Sequence, residues 1–134
     1  MKYLLIVTAL LELGAGVGLL CVPSKVVVLL LGSPLDSTAI ALGRVAGVAL
    51  LALGVACRLA QIEAHSRAAR ALVIGMLLYN VGVAVILGIS GLQSHAGVAL
   101  WPAVAVHVLM TVWCAERLLK RTRRRVTSHY PRPS

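Results

Sequence analysis

Four long apolar runs, separated by short polar or turn-forming segments, dominate the pattern of this chain. Each run is close to the roughly 20 residues that a helix needs to cross a bilayer. They predict four helices, at about 3–22, 37–59, 68–90 and 96–119. A further apolar run, residues 26–31, is too short to span and predicts a re-entrant or interfacial turn. The fold class predicted is all-α, a four-helix transmembrane bundle.

Composition supports the membrane interpretation over a soluble fold. The chain is 60% hydrophobic and 13% charged, with a mean hydropathy of +0.95. Soluble domains average about 45–50% apolar and about 25% charged residues. A bilayer accommodates the excess apolar surface, which a soluble core of 134 residues could not. We therefore expect one transmembrane domain, residues 1–119, followed by a basic tail, residues 120–134.

Basic residues predict the orientation of the bundle, because Lys and Arg are enriched in cytoplasmic loops. Eleven of them fall on one side: Lys2, Arg58, Arg67, Arg70 and the seven between Arg117 and Arg132. The opposite side has only Lys25. Both termini are thus expected in the cytoplasm, with the protein in the bacterial inner (plasma) membrane. The basic tail is expected to contact anionic lipid. Nucleic acid is not an expected partner, since no aromatic residue interrupts the arginine cluster.

Each predicted helix contains one strongly polar residue away from its ends, and these four are the candidate site: Glu12, Arg44, Asn80 and His107. Counted from the outer end of each helix at 1.5 Å per residue, all four lie about 10–17 Å below the outer boundary. Neighbouring helices alternate in direction, so sequence spacing alone does not require this agreement. The common depth predicts a buried polar network in the outer half of the bundle.

The network has two interpretations that the sequence leaves open. A lone charge at mid-bilayer costs about 2.5–3.5 kcal/mol on insertion scales, so a Glu12–Arg44 ion pair could simply brace the helices. Alternatively, Glu12 accepts a hydrogen bond or carries a proton, and Arg44 anchors an anionic or carbonyl group. Asn80 then orients a ligand, and His107 titrates near neutrality. Tyr79 lies about 100° around its helix from Asn80, which leaves its membership open.

Glycine spacing predicts where helices approach closely. Gly14 and Gly18 on the first span, and Gly43, Gly47 and Gly54 on the second, form small-residue faces. These faces serve packing within the chain or form the seam of a homodimer.

A set of loose motifs resembles the small bacterial DoxX-like membrane proteins over about residues 3–119. The motifs are Glu12-Leu-Gly14 with Pro23, Gly43-Arg44-x-x-Gly47 with Leu51-Ala-Leu-Gly54, and Trp101-Pro-Ala with His107. The resemblance implies a four-helix bundle. It also implies a role that some members have, as accessory subunits of quinone-linked oxidoreductases.

Three functions are consistent with these features. The first is a non-enzymatic accessory or scaffold subunit of a membrane complex, whose network binds a quinone or another small lipophile. The second is a proton-coupled transporter with Glu12 as coupling group, as the first-helix glutamate of small multidrug-resistance transporters suggests. The third is a membrane enzyme with Glu12 and His107 as acid and base. No metal site is predicted. A pocket that opens to the outer face alone favours binding. A pocket that reaches both faces, or a two-fold dimer lined by two Glu12 residues, favours transport.

Overall fold

The computed structural model describes residues 1–34, 36–93 and 96–127, without the side chains of 121–127. Within these ranges the chain is all-helical and contains no strand, which confirms the all-α part of the predicted fold class. Five helices follow one another: α1 (Lys2–Cys21), α2 (Pro23–Leu31), α3 (Ser37–Ala60), α4 (Arg67–Gln93) and α5 (Leu100–Thr127).

Four of these helices are long and apolar enough to cross a membrane: α1, α3, α4 and the Leu100–Lys120 part of α5. The fourth begins at Leu100, not near residue 96 as expected. α5 continues to Thr127, so the first part of the predicted basic tail is helical. The rest of that tail, residues 128–134, lies outside the described residues. The apolar run at 26–31, expected to form a turn, belongs to the nine-residue helix α2.

Local sequence explains where the helices begin and end. Pro23 occupies the first turn of α2, where its missing N–H has no helical partner to lose. Gly32 ends α2 in the left-handed region, with φ of 73°, which a residue without a Cβ adopts at little cost. The Asp36 carboxylate accepts from the Ala39 N–H at 2.7 Å and caps α3. The Ser66 hydroxyl accepts from the Ala69 N–H at 3.0 Å and caps α4.

The spanning helices associate mainly as two antiparallel pairs, α1 with α3 and α4 with α5. Glycine allows the first pair to approach closely. A Cβ on Gly16 would lie 2.9 Å from the Gly47 carbonyl oxygen, and a Cβ on Gly47 would lie 2.9 Å from that of Gly16. Gly54 packs equally tightly against Leu13. The small-residue face predicted on α3 therefore makes the expected close contacts at Gly47 and Gly54. On α1 the close contact is made by Gly16, whereas a Cβ added to Gly14 would meet no other part of the protein within 4 Å.

The buried core fills one end of the bundle, where α1 and α4 begin and α3 ends. Its members come from all four spanning helices and from the α3–α4 loop: Leu4, Leu5, Ala9, Cys57, Ala64, Ala69, Val73, Met76, Met110 and Cys114. We call this the basic end, because Lys2, Arg58 and Arg67 lie beside it at helix termini.

α2 covers part of the opposite end. Its first residue, Pro23, packs against Gly43 of α3, where a Cβ would lie 3.3 Å from the proline Cβ. Its last turn is held by the segment before α5: the Gly97 N–H donates to the Leu30 carbonyl at 3.1 Å, and the Ala99 N–H donates to the Leu29 carbonyl at 2.9 Å. A side chain at position 97 would collide with the Leu29 backbone.

Candidate functional site

A cavity of about 250 Å³ lies between α1, α4 and α5 and contains three of the four predicted site residues. It is lined by Thr8, Leu11, Glu12, Ala15, Tyr79, Asn80, Pro102, Ala103, Val106, His107 and Met110. The α1 members recur every three or four residues, so they share one face of that helix. The structure thus brings Glu12, Asn80 and His107 together around a common space.

Glu12 is paired with a tyrosine. Its side chain is buried, with 6% of the residue exposed, and the Tyr79 hydroxyl is the polar group that lies within reach of its carboxyl group. A carboxyl group in a span needs such a partner, because nothing in the hydrocarbon region can solvate it. One tyrosine hydroxyl does not use the full hydrogen-bonding capacity of a carboxyl group, so some of that capacity is left toward the cavity.

Asn80 determines which nitrogen of His107 carries a proton. Its Nδ2 donates to the Met76 carbonyl at 2.7 Å, and its Oδ1 lies 2.9 Å from His107 Nδ1. Rotating the amide by 180° would set two carbonyl oxygens against each other at Met76, so the orientation follows from the contact. An amide oxygen only accepts, and Nδ1 therefore carries the hydrogen. In the neutral imidazole, Nε2 is then an acceptor.

The imidazole ring of His107 is also held from the side. The Tyr79 ring meets it edge to face, with centroids 5.8 Å apart and an interplanar angle of 76°. Such T-shaped pairs are favourable because the positive edge of one ring faces the negative face of the other. Tyr79 therefore joins the two halves of the site, since it contacts both Glu12 and His107.

Arg44 lies outside the cavity, and its expected ion pair with Glu12 is not formed in the described part of the chain. Its residue is exposed on α3. The reason is the rotation of the helices: α3 presents Gly47 and Gly54 to α1, while Glu12 points away from this contact toward α4 and α5. The prediction of a Glu12–Arg44 brace is therefore wrong.

The cavity opens at its side. The rim residues Leu11, Ala15, Pro102 and Val106 are all exposed, and they lie on two spanning helices that contact each other little. With the four long helices in a bilayer, this opening between α1 and α5 faces lipid rather than water. A second cavity of about 390 Å³ adjoins the first and shares Ala15, Tyr79, Ala103 and His107 with it. Val26, Leu29 and Leu30 of α2 form one of its walls.

Neither cavity extends through the basic end. Met110 is the one member of the buried core that lines either of them among the described residues, and it lines only the first. The remaining core side chains occupy the space between the cavity and that end. The described cavities are thus open to one side and closed toward the basic residues.

Two polar residues of the lining, Tyr79 and Thr8, are not among the four predicted site residues. Tyr79 was an open question, and its position inside the run beside Asn80 was the available signal. Thr8 precedes Glu12 by four residues, so it lies on the same helix face, and it is 2% exposed. No group of His, Cys, Asp and Glu residues suited to a metal ion occurs among the described residues.

Comparisons with protein-family models, with curated proteins and with solved structures give no match for this chain. The resemblance to DoxX-like proteins therefore stays a prediction.

Proposed function

We propose that this protein is a non-enzymatic accessory or scaffold subunit of the bacterial inner membrane that binds a small lipophilic molecule, a quinone being one example. The observation that carries the proposal is the cavity between α1, α4 and α5, which opens sideways and contains Glu12, Tyr79, Asn80 and His107. Ligand pockets typically combine a mostly apolar lining with a few placed polar groups, in volumes of about 300–1,000 Å³. The two adjoining cavities together offer space in this range.

The arrangement of polar groups supports a site rather than a brace. In a purely structural network the polar side chains bond to one another, as Glu12 and Arg44 would do in an ion pair. Here the Nε2 atom of His107 has no hydrogen-bond partner among the described residues, and the ring lines both cavities. Polar groups inside a membrane are costly to keep unpaired. A bound molecule with its own polar head would supply the missing hydrogen bond.

Transport by Glu12 is the alternative function, and a buried carboxyl group beside a cavity favours it. A transporter also needs a route to the second face of the membrane. The buried side chains at the basic end occupy that route, with Leu4, Leu5, Val73 and Met76 each 1% exposed. We therefore favour binding.

We further propose that the basic end faces the cytoplasm, with both termini inside. α1 and α4 begin with basic residues, Lys2 and Arg67, and Arg58 lies in the last turn of α3. Lysine and arginine are retained on the cytoplasmic side. The cavity then lies in the outer half of the membrane, and the basic part of α5 reaches the anionic lipid surface of the cytoplasmic leaflet.

Substituting Glu12→Gln tests the proposal, because it keeps the shape of the side chain and removes its charge. Wild type and variant are purified in mild detergent, and co-purified lipophilic molecules are identified by mass spectrometry alongside thermal unfolding. We expect wild type to carry a defined molecule and the variant to lose most of it, at a Tm within a few degrees of wild type.

Glu63→Gln is the matched control, since Glu63 is an exposed glutamate in the α3–α4 loop. It should retain the molecule fully. A wild type that carries nothing, combined with a Glu12→Gln variant that unfolds at a far lower temperature, would show that the network is only structural.

A further inference from the structure

Resting on the binding function proposed above, we propose that the ligand presents a hydroxyl group to this site, and that His107 Nε2 accepts its hydrogen bond. The preferred class is a lipophilic phenol, quinol or similar hydroxyl compound, in preference to a carbonyl compound such as a quinone.

The hydrogen-bond donors of the side chains next to His107 are already engaged. A ligand carbonyl needs a hydrogen-bond donor. Arg44, the donor expected from the sequence, is exposed on α3 and does not line either cavity. The Tyr79 hydroxyl is directed at Glu12. The Asn80 Nδ2 donates to the Met76 carbonyl. The remaining hydroxyl of the lining, Thr8, is 2% exposed and presents almost no surface to a ligand.

His107 presents an acceptor to the cavity. His107 Nδ1 donates to Asn80 Oδ1, so the opposite nitrogen of the neutral ring accepts. This nitrogen belongs to a half-buried ring that lines both cavities. This acceptor nitrogen selects a donor, because a carbonyl placed against it would leave the carbonyl oxygen and Nε2 both without a hydrogen.

Three probes of one size separate the possibilities: 4-heptylphenol, its methyl ether 4-heptylanisole, and 4-heptylbenzaldehyde. The first donates a hydrogen bond, and the other two only accept. Binding to the wild-type protein in lipid nanodiscs is measured by titration calorimetry. We expect the phenol to bind at least tenfold more tightly than either analogue, which corresponds to about 1.4 kcal/mol.

The variant His107→Phe should abolish most of this preference, because its ring keeps the shape and has no acceptor. The tautomer can be measured independently by ¹⁵N NMR of histidine-labelled protein in which His65, His95 and His129 are replaced by Gln. We expect a protonated Nδ1 and an unprotonated Nε2.

Each other outcome has a distinct meaning. Benzaldehyde binding as tightly as the phenol, or an Nε2-protonated ring, would overturn the hydroxyl preference and leave lipophile binding intact. Failure of all three probes to bind would contradict the proposed binding function itself. The probe series uses wild type, so its result stands even if His107→Phe does not fold.

Discussion

Asn80 is a small residue with a large effect on the site, because its amide has a donor side and an acceptor side. The donor is used by the Met76 carbonyl one turn earlier on α4. The acceptor faces His107 on α5. One side chain thereby joins two helices and determines the face that the imidazole presents to the cavity.

Double-mutant cycles should separate the contacts that exist from the one that does not. For Asn80→Leu with His107→Leu, we expect a coupling free energy of about 0.6 kcal/mol or more, as is typical of hydrogen bonds between membrane helices. For Glu12→Gln with Arg44→Gln, we expect additivity within about 0.5 kcal/mol. The free energy of unfolding of each variant is measured in mild detergent by titration with a denaturing detergent. Strong coupling in the second cycle would indicate an ion pair between Glu12 and Arg44, which would contradict the structure.

At the scale of the helix, the association of α1 with α3 depends on close contacts at glycines, where an added side chain would collide with the neighbouring helix. Gly16 and Gly47 meet through backbone atoms, and Gly54 packs against the side chain and the backbone nitrogen of Leu13. Dispersion between closely packed backbones is a main source of helix association in lipid, where the hydrophobic effect contributes little. The rotation of α1 that achieves this contact is also the one that turns Glu12 toward α4 and α5.

Two glycines separated by one residue provide a matched test of this contact. A methyl group on Gly16 would lie 2.8 Å from Leu51 Cγ and 2.9 Å from the Gly47 oxygen, so Gly16→Ala should destabilise the fold by about 1–3 kcal/mol. A methyl group on Gly14 would meet nothing within 4 Å. Gly14→Ala should be neutral or stabilising by up to about 1 kcal/mol, since alanine favours helix. Equal losses of stability in detergent would contradict the observed rotation of α1.

The spans were predictable from the sequence because length and hydropathy are local properties of each run. The shared depth of Glu12, Asn80 and His107 was predictable for the same reason, since each depth depends on its own helix. The rotation of a helix about its axis depends on its neighbours. That is why Arg44 was assigned to the interior, why Gly14 was chosen in place of Gly16, and why Tyr79 stayed open.

At the scale of the whole molecule, one end is packed and the other is hollow. The core at the basic end joins the two helix pairs. Toward the other end, α2 forms a wall of the second cavity and is fastened to the segment before α5. This asymmetry favours a molecule that holds a ligand entering from the membrane over one that passes it across.

Cysteine labelling in intact cells tests the orientation of this asymmetric molecule. With Cys21 replaced by Ala, Ser33→Cys in the α2–α3 turn and Glu63→Cys in the α3–α4 loop provide exposed thiols at opposite ends. The native Cys57 and Cys114 are 0% exposed. We expect a membrane-impermeant maleimide to label position 33 in intact cells and position 63 only after permeabilisation. The reverse pattern would place the basic end outside.

Filling the cavity without touching its hydrogen bonds is the most direct test of the central claim, that this space holds a lipophilic ligand. Ala103 lines both cavities, whereas Ala105 lies exposed on the same helix. Co-purified lipophiles are quantified by mass spectrometry for wild type, Ala103→Leu and Ala105→Leu. We predict that Ala103→Leu loses the bound molecule at an unchanged or higher Tm, while Ala105→Leu retains it. An Ala103→Leu protein that carries as much ligand as wild type would contradict the account.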